Sequence, residues 1–228
     1  MSNLRQIPLQ AKHIALILIM AMCLTACSNE DYTTEFTLFD IAKMEKSSNQ
    51  GSTFTVQKPD ANDGATLYAA QHISGDAVKV GDRVLIVYTP LDGNDAYTTG
   101  KIRLIGYRPI VNDLLREETL ADIGYWDRTP IHLLSAWRSG NYLNIRARLP
   151  YYEQPRRMAL VLNTESPDPT RPDLYLCHAI EEDINTFNRE YYLSFDITKL
   201  VENPDITAFT LHLNNSNLNL DAITFLIN

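Results

Sequence analysis

Between Tyr142 and Leu149 the chain alternates without a break. Leu143, Ile145, Ala147 and Leu149 share one parity, and Tyr142, Asn144, Arg146 and Arg148 share the other. A two-residue period is the mark of a strand with one apolar face and one polar face. Shorter versions of this pattern fill most of the chain. Between Glu35 and Val111 five β-like runs, Phe36 to Lys43, Thr53 to Lys58, Ala65 to Ala70, Arg83 to Tyr88 and Ala96 to Tyr107, are separated by clusters such as Asp60-Ala61-Asn62-Asp63-Gly64 and Asp92-Gly93-Asn94-Asp95. Those clusters hold the residues that accept turn geometry. Five strands on such loops predict a small closed barrel over 35–111.

The pattern changes after Asn112. Asp113 to Ala121 is the one stretch with helical character, and Gly124 and Pro130 follow it, so 112–136 is expected to be a linker with a short helix. From Trp137 the strand pattern returns, with half-buried runs at Met158 to Asn163, Leu174 to His178, Tyr191 to Ile197, Thr207 to Leu213 and Ala222 to Ile227. Strands at this spacing predict an antiparallel β-sandwich over 137–228. Asp196 to Leu200 is expected to make one capped helical turn. The fold class is therefore all-β, with two modules.

The N-terminus reads as an export signal. Arg5 and Lys12 precede an apolar run from Ile14 to Cys23, and Leu24-Thr25-Ala26-Cys27 closes the segment. A run of roughly ten residues is too short to cross a bilayer, which needs ~20 helical residues. The tetrapeptide resembles a lipobox, so residues 1–26 are expected to be a lipoprotein signal peptide, Cys27 the lipidated first residue of the mature chain, and 27–34 a tether. Several acyl chains hold a protein to a membrane where one holds only marginally. Ser28, in place of an aspartate, resembles lipoproteins sorted to an outer membrane, facing the periplasm or the cell surface. The tether of about eight residues spans at most ~3.6 Å per residue, which places the barrel near the bilayer and turns the search for a binding surface to the residues after Asn112.

Charge and cysteine content narrow the chemistry. The signal segment carries two bases and no acid, so its removal takes the net charge from −8 to −10. No basic stripe rises above that background, and nucleic acid is not an expected partner. Cys23 leaves with the signal and Cys27 is acylated, so Cys177 has no disulfide partner; within Leu174-Tyr175-Leu176-Cys177-His178 it reads as a small buried hydrophobe. His72, His132, His178 and His212 show no HExxH or HxH spacing, and no metal or cofactor site is expected. His178 with Glu181, Glu182 and Asp183 reads as a solvated turn, and His212 as an exposed strand residue. Asp60 to Gly64 lacks the ligand spacing of a calcium loop. There is no GxSxG, GxxxxGK[ST] or GxGxxG, so no catalytic residue is assigned. Dispersed carboxylates of a glycoside hydrolase leave no trace along a chain.

One surface segment stands out. Tyr151, Tyr152, Arg156 and Arg157 lie in the connection between two strands of the second module, and with Trp137 they form the candidate binding surface, since aromatic and arginine side chains make anchors. The plainer alternative is a hairpin whose tyrosines fold back on the sheet and whose arginines offset local acidity.

Three motifs, Trp137-Arg138-Ser139-Gly140-Asn141-Tyr142-Leu143-Asn144-Ile145, Leu176-Cys177-His178-Ala179 and Tyr192-Leu193-Ser194-Phe195-Asp196-Ile197, together with the lipobox and a Lys101-Ile102-Arg103-Leu104 strand, resemble the NigD-like lipoproteins. The resemblance covers nearly the whole mature chain. It implies an N-terminal OB-like barrel and a C-terminal β-sandwich. It also implies a link to bacteriocin immunity, inferred for that family from gene neighbourhood, and no catalytic residues. Cys177 departs from the polar or basic residue expected there. The functional expectation is a non-enzymatic envelope lipoprotein that binds a protein or a glycan. The alternatives are a glycan-binding accessory lipoprotein and, further off, a hydrolase with dispersed carboxylates.

Overall fold

The computed structural model describes residues 36–74, 78–91, 95–124, 126, 130–151, 157–179 and 187–227. The signal peptide, Cys27 and the tether lie outside the described residues. Strands β1 (Leu38–Ser48), β2 (Gly51–Gln57), β3 (Gly64–Ala69), β4 (Arg83–Pro90) and β5 (Gly100–Pro109) close into a barrel in the order β1-β2-β3-β5-β4. This is the partly parallel, five-stranded closure of an OB-like fold, with β3 and β5 as its parallel pair. Alternation fills the interior with Ala42, Met44, Phe54, Val56, Leu67, Val84, Ile86 and Ile102, all buried. The β1–β2 turn closes at Gly51, φ +118, where a Cβ would run into the Ala69 carbonyl, so only glycine fits.

The other nine strands form two facing sheets. These strands are β6 (Val111–Leu114), β7 (Arg116–Glu118), β8 (His132–Ser139), β9 (Tyr142–Pro150), β10 (Arg157–Asn163), β11 (Asp173–Ala179), β12 (Asn188–Asp196), β13 (Ala208–His212) and β14 (Ala222–Leu226). One sheet runs β14-β13-β11-β10-β7 and the other β6-β12-β9-β8. Pairing is antiparallel except for β7 with β10, β6 with β12 and β11 with β13. Leu143, Ile145, Ala147 and Leu149 of β9 meet Leu160, Leu174, Leu176, Phe209 and Leu211 across the sandwich, as their parity requires. Phe209 and Phe225 stack at 5.1 Å between ring centroids. Removing these side chains from water is worth roughly 2 kcal/mol apiece, which is why the parity of the strands decides their register.

The segment expected to be helical differs. Asp113 to Ala121 supplies β6 and β7, and only Leu120–Ile123 forms a helical turn, α1. The linker reading of 112–136 is corrected accordingly: β6 adds beside β12 to the four-stranded sheet, β7 adds beside β10 to the five-stranded sheet, and Leu115 crosses between them with its side chain in the core. Its amide donates to the Asp196 carbonyl at 3.1 Å. Two open sheet edges offer this segment a full set of backbone partners, and that outweighs a few tenths of a kcal/mol of helical preference per residue. Strand β8 likewise starts at His132, ahead of Trp137, because a bulge between Leu133 and Ser135 hides its period. The helical turn expected near Asp196 is present as α2 (Thr198–Val201), with the Thr198 amide donating to Asp196 Oδ1 at 2.8 Å.

Candidate functional site

The polar face of β9 is where the two modules meet. Tyr142 and Asn144, whose parity reads as solvent-facing, are covered by the outer face of the barrel. Arg83 at the start of β4 is 4 % exposed, and its guanidinium stands 4.0 Å from the Tyr142 ring centroid. It donates from Nε to Ser194 Oγ at 3.1 Å and from Nη2 to Asn144 Oδ1 at 3.4 Å. Asn144 donates onward to Ser139 Oγ at 2.7 Å. Burial lowers the Arg83 pKa to about 10, opposed by the charges of Tyr142 and Asp196.

A second contact joins the Asp60 to Asp63 turn to the β8–β9 hairpin. The Asp60 amide donates to the Arg138 carbonyl at 2.6 Å and the Gly140 amide to the Ala61 carbonyl at 2.7 Å. Arg138, 1 % exposed, donates from Nη1 to Asn62 Oδ1 and the Gly140 carbonyl, both at 2.9 Å, and from Nε to the Leu226 carbonyl at 3.1 Å. Gly140 has φ +53, and a Cβ there would collide with the Gln57 amide. The Trp137 to Ile145 motif thus works as the joint between barrel and sandwich.

Beyond the joint the barrel stops short of the sheet, and a cleft of about 210 Å³ remains. Phe39, Asp40 and Tyr97 line its barrel side; Trp137, Arg146 and Tyr192 line its sandwich side. Tyr192 is flanked by two guanidinium groups, Arg108 at 4.9 Å and Arg146 at 5.6 Å from its centroid. Arg146 makes a two-pronged pair with Glu190, at 2.8 and 3.0 Å, which lowers the Glu190 pKa. Asp40 sits at the barrel mouth and accepts from Tyr88 at 2.7 Å and Tyr97 at 3.0 Å. Burial raises its pKa, and the two phenols partly offset that; burial and the Asp40 charge push Tyr97 up to about 12. Tyr97 holds its phenol there from a left-handed backbone, φ 58.

A separate depression lies farther along β9. Two residues beyond Arg146, exposed Arg148 lies in this depression of about 350 Å³ with His132, Pro150 and Asn188.

The structure separates the residues of the expected binding surface. Trp137 pairs with Asn144 near the start of β9, whereas Tyr151 follows its end, seven residues or about 23 Å along the strand. Tyr151 stacks on Phe187 at 4.8 Å, with Arg189 over it at 5.7 Å. Arg157 is exposed at the start of β10, and Tyr152 and Arg156 lie outside the described residues. Asp40, Tyr97 and Tyr192 carry no signal in the sequence, because a barrel mouth and a sheet face come together only in the fold.

The remaining candidates are structural. Cys177 is fully buried beneath Ile123 of α1 with Ala159 and Val161. His178 is buried, which corrects the solvated-turn reading for that residue, while Glu181, Glu182 and Asp183 lie outside the described residues. His212, expected to be exposed, bonds Asp173 Oδ1 through Nε2 at 2.7 Å and stacks on Tyr175 at 4.7 Å. The Asp60 to Gly64 loop spends its backbone and Asn62 on the joint.

Residues 114–226 match the family described as NigD-like C-terminal beta sandwich domain. No curated protein sequence matches the chain. Among solved structures, a protein of unknown function (DUF1344) from Bacteroides vulgatus is similar at a TM-score of 0.65 and 19% identity, over 84% of this chain and 90% of that one. A NigD-like immunity protein from Bacteroides caccae is similar at 0.58 and 18%, over 82% and 90%. A candidate lipoprotein from Bacteroides fragilis is similar at 0.54 and 14%, over 83% and 95%. At these identities the likeness is one of fold, and it spans both modules. With the sandwich matched directly, the chain belongs to the NigD-like family.

Proposed function

We propose that this protein is a lipid-anchored protein of the outer membrane that works by binding rather than by catalysis, through the cleft between barrel and sandwich and the separate depression farther along β9. The observation that carries the reading is the unequal cover of the sheet's polar face. Asn144 is buried and Tyr142 half-buried under Arg83, while Trp137, Arg146 and Tyr192 line an open cleft and Arg148 stays exposed. A preformed depression with aromatic walls and a few fixed polar groups is what a binding site requires. The lipobox at Cys27 and the lipoprotein among the similar structures support anchoring.

The acids also favour binding. Among the described residues Asp40 is the one carboxylate lining the cleft, and a glycoside hydrolase needs two. Asp113 and Asp196 line a separate depression but are engaged, Asp113 with Arg116 and Asp196 with the Thr198 amide.

Trp126 and Trp137 are the only tryptophans, so Trp126→Phe leaves Trp137 as the reporter. Its emission should shift when the full chain is titrated with polysaccharide or protein fractions of the envelope. A fraction that the immobilised chain retains without any such shift would place the site elsewhere. The NigD-like immunity protein among the similar structures favours a second version, protection against a toxin, which predicts that deletion of the gene sensitises cells to a co-encoded bacteriocin. Unchanged sensitivity would remove it.

A further inference from the structure

The strip from Arg108 to Arg148 is built for a charge that this protein otherwise repels. Its two acids are both engaged: Glu190 is held by Arg146, and Asp40 takes both phenols. Its cations are in excess. Arg108 and Arg148 have no carboxylate within ion-pair distance among the described residues, and Arg148 is exposed. In a chain whose net charge without the signal segment is −10, Arg108 over Tyr192 and Arg148 farther along β9 join Arg146 around the one carboxylate of Glu190, and this surplus of guanidinium groups makes a local field that draws anions to this face.

The edge of the sheet tells which kind of anion fits. A peptide would be expected to add as a strand to the free edge of β8. That edge is closed at one end by Asn217, whose side chain accepts from the Leu133 amide and donates to its carbonyl, both at 2.9 Å, and by the Ser216 amide on the Ile131 carbonyl at 2.8 Å. The Asp60 amide covers the Arg138 carbonyl at the other end. Recognition by main-chain pairing is therefore blocked, and what remains is a face of side chains. A flat indole beside forked donors suits the apolar face of a sugar ring and its carboxylate. The two depressions, two residues apart along β9, suit successive units of a chain.

We infer that this strip binds an anionic polysaccharide, with Trp137 stacking on a sugar ring and Arg108 and Arg148 receiving the carboxylates of uronate units. The inference rests on the cleft being the site the protein uses.

The full chain in detergent micelles can be titrated with polygalacturonate and with the same polymer after complete methyl esterification, which keeps the sugars and removes the charge. The charged polymer should bind at least about tenfold more tightly, and less so as salt rises. Arg148→Gln, an exposed change that leaves the fold intact, should weaken binding by about tenfold, as should Arg108→Gln. Trp137→Phe should weaken it less.

Equal binding of the two polymers, still sensitive to Trp137→Phe, would overturn the anionic ligand and leave the site standing. Polyglutamate bound as tightly as polygalacturonate, with no effect of Trp137→Phe, would assign the strip to an acidic protein and overturn the inference. Failure of every polymer to bind would also overturn it, and the site itself would fall only if Trp137 emission were silent to every envelope fraction as well.

Discussion

Arg83 stands over the Tyr142 ring at 4.0 Å while it donates to Ser194 and Asn144, so a buried cation of the barrel is held by a ring, a hydroxyl and an amide of the sandwich. Arg83→Met removes the charge but strands polar partners away from water. The expected loss is about 3 kcal/mol of unfolding free energy, read as a lower urea midpoint followed by circular dichroism. An unchanged midpoint would mean that the joint contributes no stability.

Gly140 is the second half of that joint. Alanine there meets both a left-handed backbone and the Gln57 amide, so Gly140→Ala should cost about 2 kcal/mol. The same substitution at Gly106, where a Cβ would meet nothing within 4 Å, should be nearly neutral in the same denaturation assay.

Asp40 gives the fold a pH dependence of definite sign. Its folded pKa is raised by burial, so the folded state holds its proton more tightly than the unfolded chain does. The contribution is fully present below the ordinary value of 3.8 and is lost as pH rises through the folded value. Asp40→Asn should therefore gain stability relative to the parent as pH rises above about 4, measured by urea unfolding at each pH. A gap between the two proteins that narrows as pH rises would contradict the assignment.

The modules were legible in the sequence where burial dictates alternation. Leu143, Ile145, Ala147 and Leu149 line the sandwich core as one parity, and β3 and β5 of the barrel do the same, whereas Arg83 to Tyr88 buries both parities. What was hidden depends on partners far along the chain. Asp113 to Ala121 reads as helix because its apolar residues fit a helical face, but β10 and β12 present open edges that this segment closes. Tyr142 and Asn144 read as wet because nothing in their own strand announces that Arg83, about sixty residues earlier, will cover them. The cleft was half visible. Trp137 stands out by type, whereas Asp40 and Tyr97 are 57 positions apart and meet only when the barrel closes.

Cys27 and Cys177 should behave oppositely. Cys27→Ala should move the protein from the membrane fraction to the soluble fraction without changing its circular dichroism, and continued retention would contradict lipid anchoring at that residue. Cys177 is buried and should react with a thiol reagent only after the chain is unfolded, so rapid labelling of the native protein would contradict its place in the core.

The binding face can be tested most directly by hydroxyl-radical footprinting of the protein in isolated envelopes against the same chain purified in detergent. If the cleft beside the joint is the working site, Trp137 and Tyr192 lose reactivity in the envelope while Trp126, packed over the other sheet, and Tyr175, within it, do not change. Equal oxidation of Trp137 in both preparations, with protection appearing instead around Tyr151 and Phe187 or nowhere, would contradict the account.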